Sequence, residues 1–245
     1  MGVGAASAVV GLINLGIVTA LPGEARLLTR RKCAPLSSHR LVDNVQLQLS
    51  GMGPVAAERA AQTLVNSGCG ALVSWGCAGA LAPHVTAGTL LLPGQVVNAE
   101  GQCYFTDPEW RERLAKSLQQ DYEEAALLST DQPVASVEAK ARWYTSTQAV
   151  AVDMESAAVA AVAKDNGLPF LVIRAVADTA GSEVPVAALQ ALSDDGELQP
   201  LAILTALAKH PGQIPALIKL GRCFSAAQAS LAHVAERGGP RLGAA

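Results

Sequence analysis

The chain has 245 residues, half of them hydrophobic and 16% charged, with a formal net charge of −3. That length fits one large domain or two small ones, with a sizeable core, and an acidic balance without a basic block lacks the positive footprint that a nucleic-acid partner requires. The five cysteines (33, 69, 77, 103 and 223) are odd in number and scattered, and the four histidines show no metal-ligand spacing, so the pattern gives neither a disulfide framework nor a metal centre and points to a reduced, cytoplasmic chain.

The first 23 residues carry no charged side chain. No Lys or Arg leads them, however, and Gly2, Gly4, Gly11, Asn14 and Gly16 interrupt the apolar run, so a loose tail over 1–14 is expected instead of a signal peptide or membrane span. LGIVTALP (15–22) then reads as a buried strand. NVQLQLSG (44–51) alternates with period two and predicts a strand with two unlike faces. GPVAAERAAQTLVNSG (53–68) predicts a helix capped by Gly68. ALVSWGCAGAL (71–81) is an apolar strand running into a turn of small residues, and GTLLLPGQVV (88–97) is extended again. DPEWRERLAKSLQQ (107–120) predicts a helix with a polar face, and AALLST (125–130) a strand. AVAVDM leads into the helix ESAAVAAVAKDNG, closed by Gly167. LPFLVIRAV (168–176) reads as an unbroken apolar strand covered on both faces.

Repeated strand-then-helix order predicts an α/β fold, a three-layer αβα sandwich around a mixed, largely parallel sheet. Residues 1–245 are expected to form a single domain, with 198–237 as a helical extension. In that extension LAILTALAKH precedes a second helix from Ile214, whose Ile214, Leu217, Ile218, Phe224 and Leu231 fall near one face.

GMGPVA (51–56) matches a dinucleotide-binding fingerprint, but the acidic residue usual about 20 positions later is missing, which favours a tight turn aiming N–H groups into a cleft. WGCAGAL (75–81) puts small residues at the carboxyl end of a strand, where open α/β sheets bind ligands. With no histidine nearby in sequence, Cys77 reads as a buried thiol and not a nucleophile. Asp178 and Glu24 each stand just past a strand. Asp153 and Glu155 open a helix, where capping and dipole complementation compete with chemistry as explanations. Four acids after three strands, all able to converge on one crevice, favour chemistry.

GIVTALPGEARLL, SGMGPVAAERAA, WGCAGALAP, AVDMESAAVA and LVIRAVADTAG stand in one order and spacing, and through them nearly the whole chain resembles the nucleoside phosphorylase and nucleosidase superfamily. Within it the chain is similar to methylthioadenosine/S-adenosylhomocysteine nucleosidases and, more closely, to hopanoid-associated phosphorylases. The segment SEVPVAALQALSDDGELQPLAILTALAKHPGQIPALIKL carries the second likeness.

The resemblance implies roles. Asp178 would protonate the purine leaving group at N7, Glu24 would activate water, and Glu155 would bind ribose. Met154 would pack beside the sugar, and the backbone of Cys77, Ala78 and Gly79 would wall the base and ribose. Asp153 stands where related enzymes vary, so capping is its reading. Neither a metal nor an organic cofactor is implied. The substrate would be an adenosine-type nucleoside, adenosylhopane yielding ribosylhopane, with methylthioadenosine or S-adenosylhomocysteine as the alternative. A homodimer is implied, in the cytoplasm or at the inner face of the membrane, and Lys209, Lys219, Arg222, Arg237 and Arg241 against Glu236 alone suit a peripheral lipid contact. Two positions depart from the pattern. Ala177 replaces the serine usual before the aspartate, and Ser74 replaces the arginine with which phosphorylases clamp phosphate. Arg26 could substitute for that arginine, but water is the favoured acceptor over phosphorolysis.

Overall fold

The computed structural model describes residues 13–29, 33–34, 36–185, 188, 212 and 214–244. Most of the expected N-terminal tail, the segment LAILTALAKH and Lys209 lie outside the described residues.

One mixed sheet organises the chain. Its parallel centre is β3 (Val45–Leu49), β1 (Leu15–Thr19), β4 (Ala71–Ala80) and β10 (Phe170–Asp178). β2 (Ser38–Val42) pairs antiparallel with β3 at one edge, and β5 (Leu90–Leu91) pairs antiparallel with β10. The sheet continues from β4 through β9 (Ala151–Asp153), β8 (Leu127–Ser129), β6 (Gln95–Asn98) and β7 (Cys103–Phe105).

The register of β4 leaves a gap. β1 pairs with it only as far as Trp75, and β9 takes up the same edge only from Gly79, so residues 76–78 have a sheet partner on the β10 side alone. The small residues expected to form a turn here in fact continue the strand to Ala80.

Alternation along the strands builds two apolar layers. Val18, Leu72, Val172 and Val176 pack with Ala57, Ala61 and Leu64 of helix α2 (Pro54–Asn66) and Val159 and Ala163 of α5 (Ser156–Asp165). On the opposite side Ile17, Leu47, Trp75 and Ile173 pack with Trp110 and Leu114 of α3 (Pro108–Leu118) and with Leu231 and Val234 of α6 (Ile214–Arg237). These are the three layers expected. β3 keeps its two unlike faces, yet even Gln48 is buried.

Two helices escaped the sequence reading. Pro22 opens α1 (Pro22–Leu28) directly after β1, so Glu24 sits in a first helical turn and not in a loop. α4 (Val137–Thr147) is capped by Ser136, whose hydroxyl accepts from the Ala139 N–H at 3.1 Å. The face expected of α6 needs correction. Its buried residues are Ala227, Leu231 and Val234, whereas Ile214 and Ile218 are exposed, because only the C-terminal half of the helix lies against the core. Several of the cations expected to face lipid are engaged within the fold: Lys219 donates to Ser182 Oγ, Arg237 to Gln119 Oε1 and Arg241 to the Ile13 carbonyl. No helix among the described residues is long and apolar enough to cross a membrane.

Gly16 shows how closely α2 is drawn onto β1. A Cβ there would lie 2.9 Å from Leu72 Cδ2 and 3.1 Å from Leu64 Cβ. Gly16→Val should therefore destabilise the fold by ~1–3 kcal/mol, the usual cost of overpacking a core, as read by urea denaturation.

Candidate active site

At the gap in β4 lies a cavity of about 240 Å³. Its wall includes Glu24, Met52, Cys77, Ala78, Gly79, Asp153, Met154, Glu155, Arg174, Ala177 and Asp178. All seven residues expected to form the site are therefore brought together: Glu24, Cys77, Ala78, Gly79, Met154, Glu155 and Asp178. Arg26 is not among them; it lines a separate surface cavity with Leu41 and Val42.

Glu24 reaches the gap from the first turn of α1. Its carboxylate accepts from the Cys77 N–H at 2.8 Å, from Thr19 Oγ1 at 3.0 Å and from the Leu21 N–H at 3.2 Å. Burial raises its pKa from the ordinary range, against the Arg174 charge and those donors. Gly76 makes this reach possible, since a Cβ would stand 2.8 Å from both carboxylate oxygens and closer still to Arg174 Nη1. Burial, with Glu24 next in effect, pushes the Cys77 thiol well up. A thiol held neutral is a poor nucleophile, in keeping with the inert reading of this cysteine.

Asp153 and Glu155 flank the start of α5. Asp153 accepts from the Ser156 N–H at 3.2 Å and pairs with Arg174 Nη2 at 2.6 Å, so it caps the helix and also neutralises a buried charge. Glu155 accepts from the Gly53 N–H at 3.1 Å and from Arg174 Nη2 at 3.4 Å. The GMGPVA turn thus aims an N–H into the cleft, as expected, but at a protein carboxylate. Gly53 has a φ of 90°, a conformation open to glycine at little cost.

Arg174 is the residue missed. The segment LPFLVIRAV reads as unbroken apolar strand, yet its arginine turns into the cavity wall with 2% exposure. It donates to Ser74 Oγ at 2.9 Å and to the Cys77 carbonyl at 3.2 Å. Its Nε has no protein partner. The signal was present, because a lone cation in a doubly covered strand needs buried anions, and three acids were already placed nearby.

Asp178 closes the other end of the cavity. Its Oδ1 would lie 2.8 Å from a Cβ on Gly79, which explains the glycine there. Its carboxylate pairs with Lys140 of α4, a second residue the sequence reading missed. Burial raises the Asp178 pKa, while the Lys140 ammonium pulls it down.

Residues 14–209 match the phosphorylase superfamily. The chain belongs to this superfamily. Comparison with curated proteins finds no match. Among solved structures, the chain is similar to the 5′-methylthioadenosine/S-adenosyl homocysteine nucleosidase of Helicobacter pylori at 21% identity, with a TM-score of 0.62, covering 83% of this chain and 100% of that one. An S-adenosylhomocysteine nucleosidase from Streptococcus pyogenes in complex with 5-methylthiotubericidin is 21% identical over 92% of this chain and 97% of its own, with a TM-score of 0.64. Futalosine hydrolase of Helicobacter pylori is 19% identical over 87% and 97%, with a TM-score of 0.61. At such identities the likeness establishes the shared fold, and family membership makes the chain an enzyme of the phosphorylase superfamily.

Burial raises the Glu155 carboxyl from 4.5 to about 7, opposed by Arg174 and reinforced by Asp153. The folded chain therefore holds a proton there that the unfolded chain has released. Unfolding free energy should fall as pH rises from about 4.5 through about 7. Glu155→Gln should make that decline shallower, as measured by denaturation midpoints across the window.

Proposed function

We propose that the chain is a purine nucleosidase that hydrolyses the N-glycosidic bond of an adenosine-type nucleoside. The observation that carries this reading is the separation of acids along β4. Glu24 and Glu155 gather with Arg174 around Gly76 and Cys77, while Asp178 stands at Gly79, about 7 Å further along at the usual rise of a strand. Two carboxyl groups in different surroundings can hold different protonation states at one pH.

Cleavage would proceed as the C1′–N9 bond pair moves onto the base and positive charge develops on the ribose ring. Asp178 gives its proton to the base at N7. Glu24, in its ionised form beside Arg174, stabilises the developing sugar cation and then takes a proton from the water whose oxygen joins C1′. Glu155 would accept hydrogen bonds from ribose hydroxyls, with Met154 against the sugar. Water is favoured over phosphate because Arg174, the one cation among the described cavity-wall residues, is already committed to Asp153 and Glu155, and the buried Lys140 behind the wall to Asp178. A phosphate would meet four acids and no free clamp. Ser74, where an arginine clamp was sought, is fully buried and spends its hydroxyl on Arg174 and Ser156.

The 5′ substituent is the finer part of the reading. A second cavity of about 310 Å³ shares Asp178 with the first and is lined by Ala216, Leu220 and Cys223 of α6, the helix that exposes Ile214 and Ile218. That cavity opens at Asp178, the base end of the site, and also holds Glu183 and Lys219, so the large 5′ group of adenosylhopane rests on the resemblance carried by the segment from Ser182 onward and not on this space. Methylthioadenosine and S-adenosylhomocysteine are the small-substrate alternative, favoured by the nucleosidases to which the fold is similar.

Asp178→Asn should lower adenine release by ~10²–10⁴-fold, the worth of general acid catalysis, while nucleoside binding persists. Chromatography of free adenine checks this, and wild-type turnover in the variant would remove Asp178 from the role. In excess phosphate the sugar product should remain the free ribosyl compound; a ribose 1-phosphate as main product would establish phosphorolysis. Competition between methylthioadenosine and adenosine bearing a long alkyl 5′ chain decides the substituent, the bulky compound being preferred if the adenosylhopane reading holds.

A further inference from the structure

α4 is a surface helix with one buried residue, and that residue is a lysine. Lys140 is wholly inaccessible, and its side chain runs inward from the helix to the carboxyl end of β10. There its ammonium uses three donors: on the Asp178 carboxylate, on the Thr179 carbonyl at 3.0 Å and on the Ser182 carbonyl at 2.9 Å. Burying an ammonium remains costly even after relaxation, and an apolar side chain of similar length would bury without that penalty. Packing therefore gives no reason for a charge at this position.

The three acceptors share one property. Asp178 belongs to the cavity, and Thr179 and Ser182 bound the turn that carries the chain from Asp178 to Val184, another residue of the cavity wall. The turn is closed on itself by Thr179 Oγ1 and Ser182 Oγ at 2.8 Å, and the Val184 N–H donates to the Ala135 carbonyl at 3.0 Å, just ahead of α4. We propose that Lys140 is the positioning residue for Asp178, fixing its carboxylate rotamer and, through the same ammonium, the turn that edges the base end of the pocket. This rests on the reading of Asp178 as the general acid.

The same contact bears on proton delivery. Asp178 also shares the first cavity with Cys77 of β4, Glu24 of α1, Asp153 of β9, Glu155 ahead of α5 and Arg174 of its own strand, and the second with Glu183 and Lys219. Among the described residues only Lys140 bonds its carboxylate. Burial alone would push an aspartate's affinity for its proton upward, and the adjacent cation opposes that, keeping the acid able to release its proton. The neighbouring strand residue, Ala177, offers no hydroxyl for the task.

The test uses the full chain and Lys140→Met, which keeps length and removes charge. The expected loss in kcat/KM for adenine release is ~10²-fold, as for a misplaced reacting group. A general acid must be protonated, so activity falls as pH rises through its pKa; without the cation this descending limb should move upward by ~1–3 pH units. A merely structural lysine would not move it. Lys140→Met combined with Asp178→Asn should be no slower than Asp178→Asn alone. In urea, the double variant should be more stable than the sum of the single losses allows, since it leaves no lone buried charge. That cycle still reads the pair if the single lysine variant folds poorly. If the wild type releases no base from any nucleoside, the functional reading fails and takes this role with it. Normal wild-type turnover with an unmoved limb and additive stability losses would overturn the role of Lys140 alone.

Discussion

The site depends on a single buried guanidinium. Arg174 projects from the middle of a strand covered on both faces, where an uncompensated charge would cost several kcal/mol. Asp153, Glu155 and Glu24 surround it, and the Ser74 hydroxyl and Cys77 carbonyl satisfy further N–H groups. Each acid arrives from a different part of the chain: Asp153 from the end of β9, Glu155 from the start of α5, Glu24 from the first turn of α1. Folding the core sets these three segments around the arginine, and the arginine in turn makes their crowding tolerable. Burial still raises Glu24 and Glu155, and the Arg174 charge opposes that rise.

Charge is thus divided within the cavity. One end holds several acids around a cation that serves them all. The other holds one acid with a lysine of its own. The two ends are linked through the backbone of β4, whose glycines at 76 and 79 leave room for Glu24 and Arg174 at one position and for Asp178 at the other. The small residues of WGCAGA are therefore explained by neighbours on both sides: protein carboxylates meet one face of the strand end, and the cavity occupies the space beside it.

Much of this was legible in the sequence because the relevant signals are local. Apolar runs of five to nine residues gave the parallel strands, and acids just past them marked the crevice. Five short motifs in register carried the family. Arg174 was hidden by its setting, since one cation among eight apolar neighbours does not disturb a hydropathy pattern even when it organises a site. Lys140 was hidden for the opposite reason. It stands in a polar helix, where a lysine is expected to be solvated, and only the tertiary placement of α4 shows that it points inward. α1 and the exposed half of α6 were misjudged because seven residues are too few to show a helical period, and because an apolar stripe does not say which part of its length will find a core. Asp153 accepts from the first turn of α5, as its capping reading expects, and also pairs with Arg174, which the sequence reading did not foresee.

The interruption between β1 and β9 along β4 has a consequence for how this pocket can change. Its floor is a missing stretch of strand, held open by hydrogen bonds on either side and plugged by Glu24 on the Cys77 N–H. The sheet register on either side bounds this hollow, so its shape is set by the pairing of β4. An incoming molecule meets a surface whose ordering has already occurred, and little of its binding energy is spent on rearranging that surface. Insertions in the surrounding loops would reshape the rim, and with it the choice of substituent, while the hollow beneath kept its dimensions. Diversification is thereby confined to the parts of the chain that the sheet does not hold.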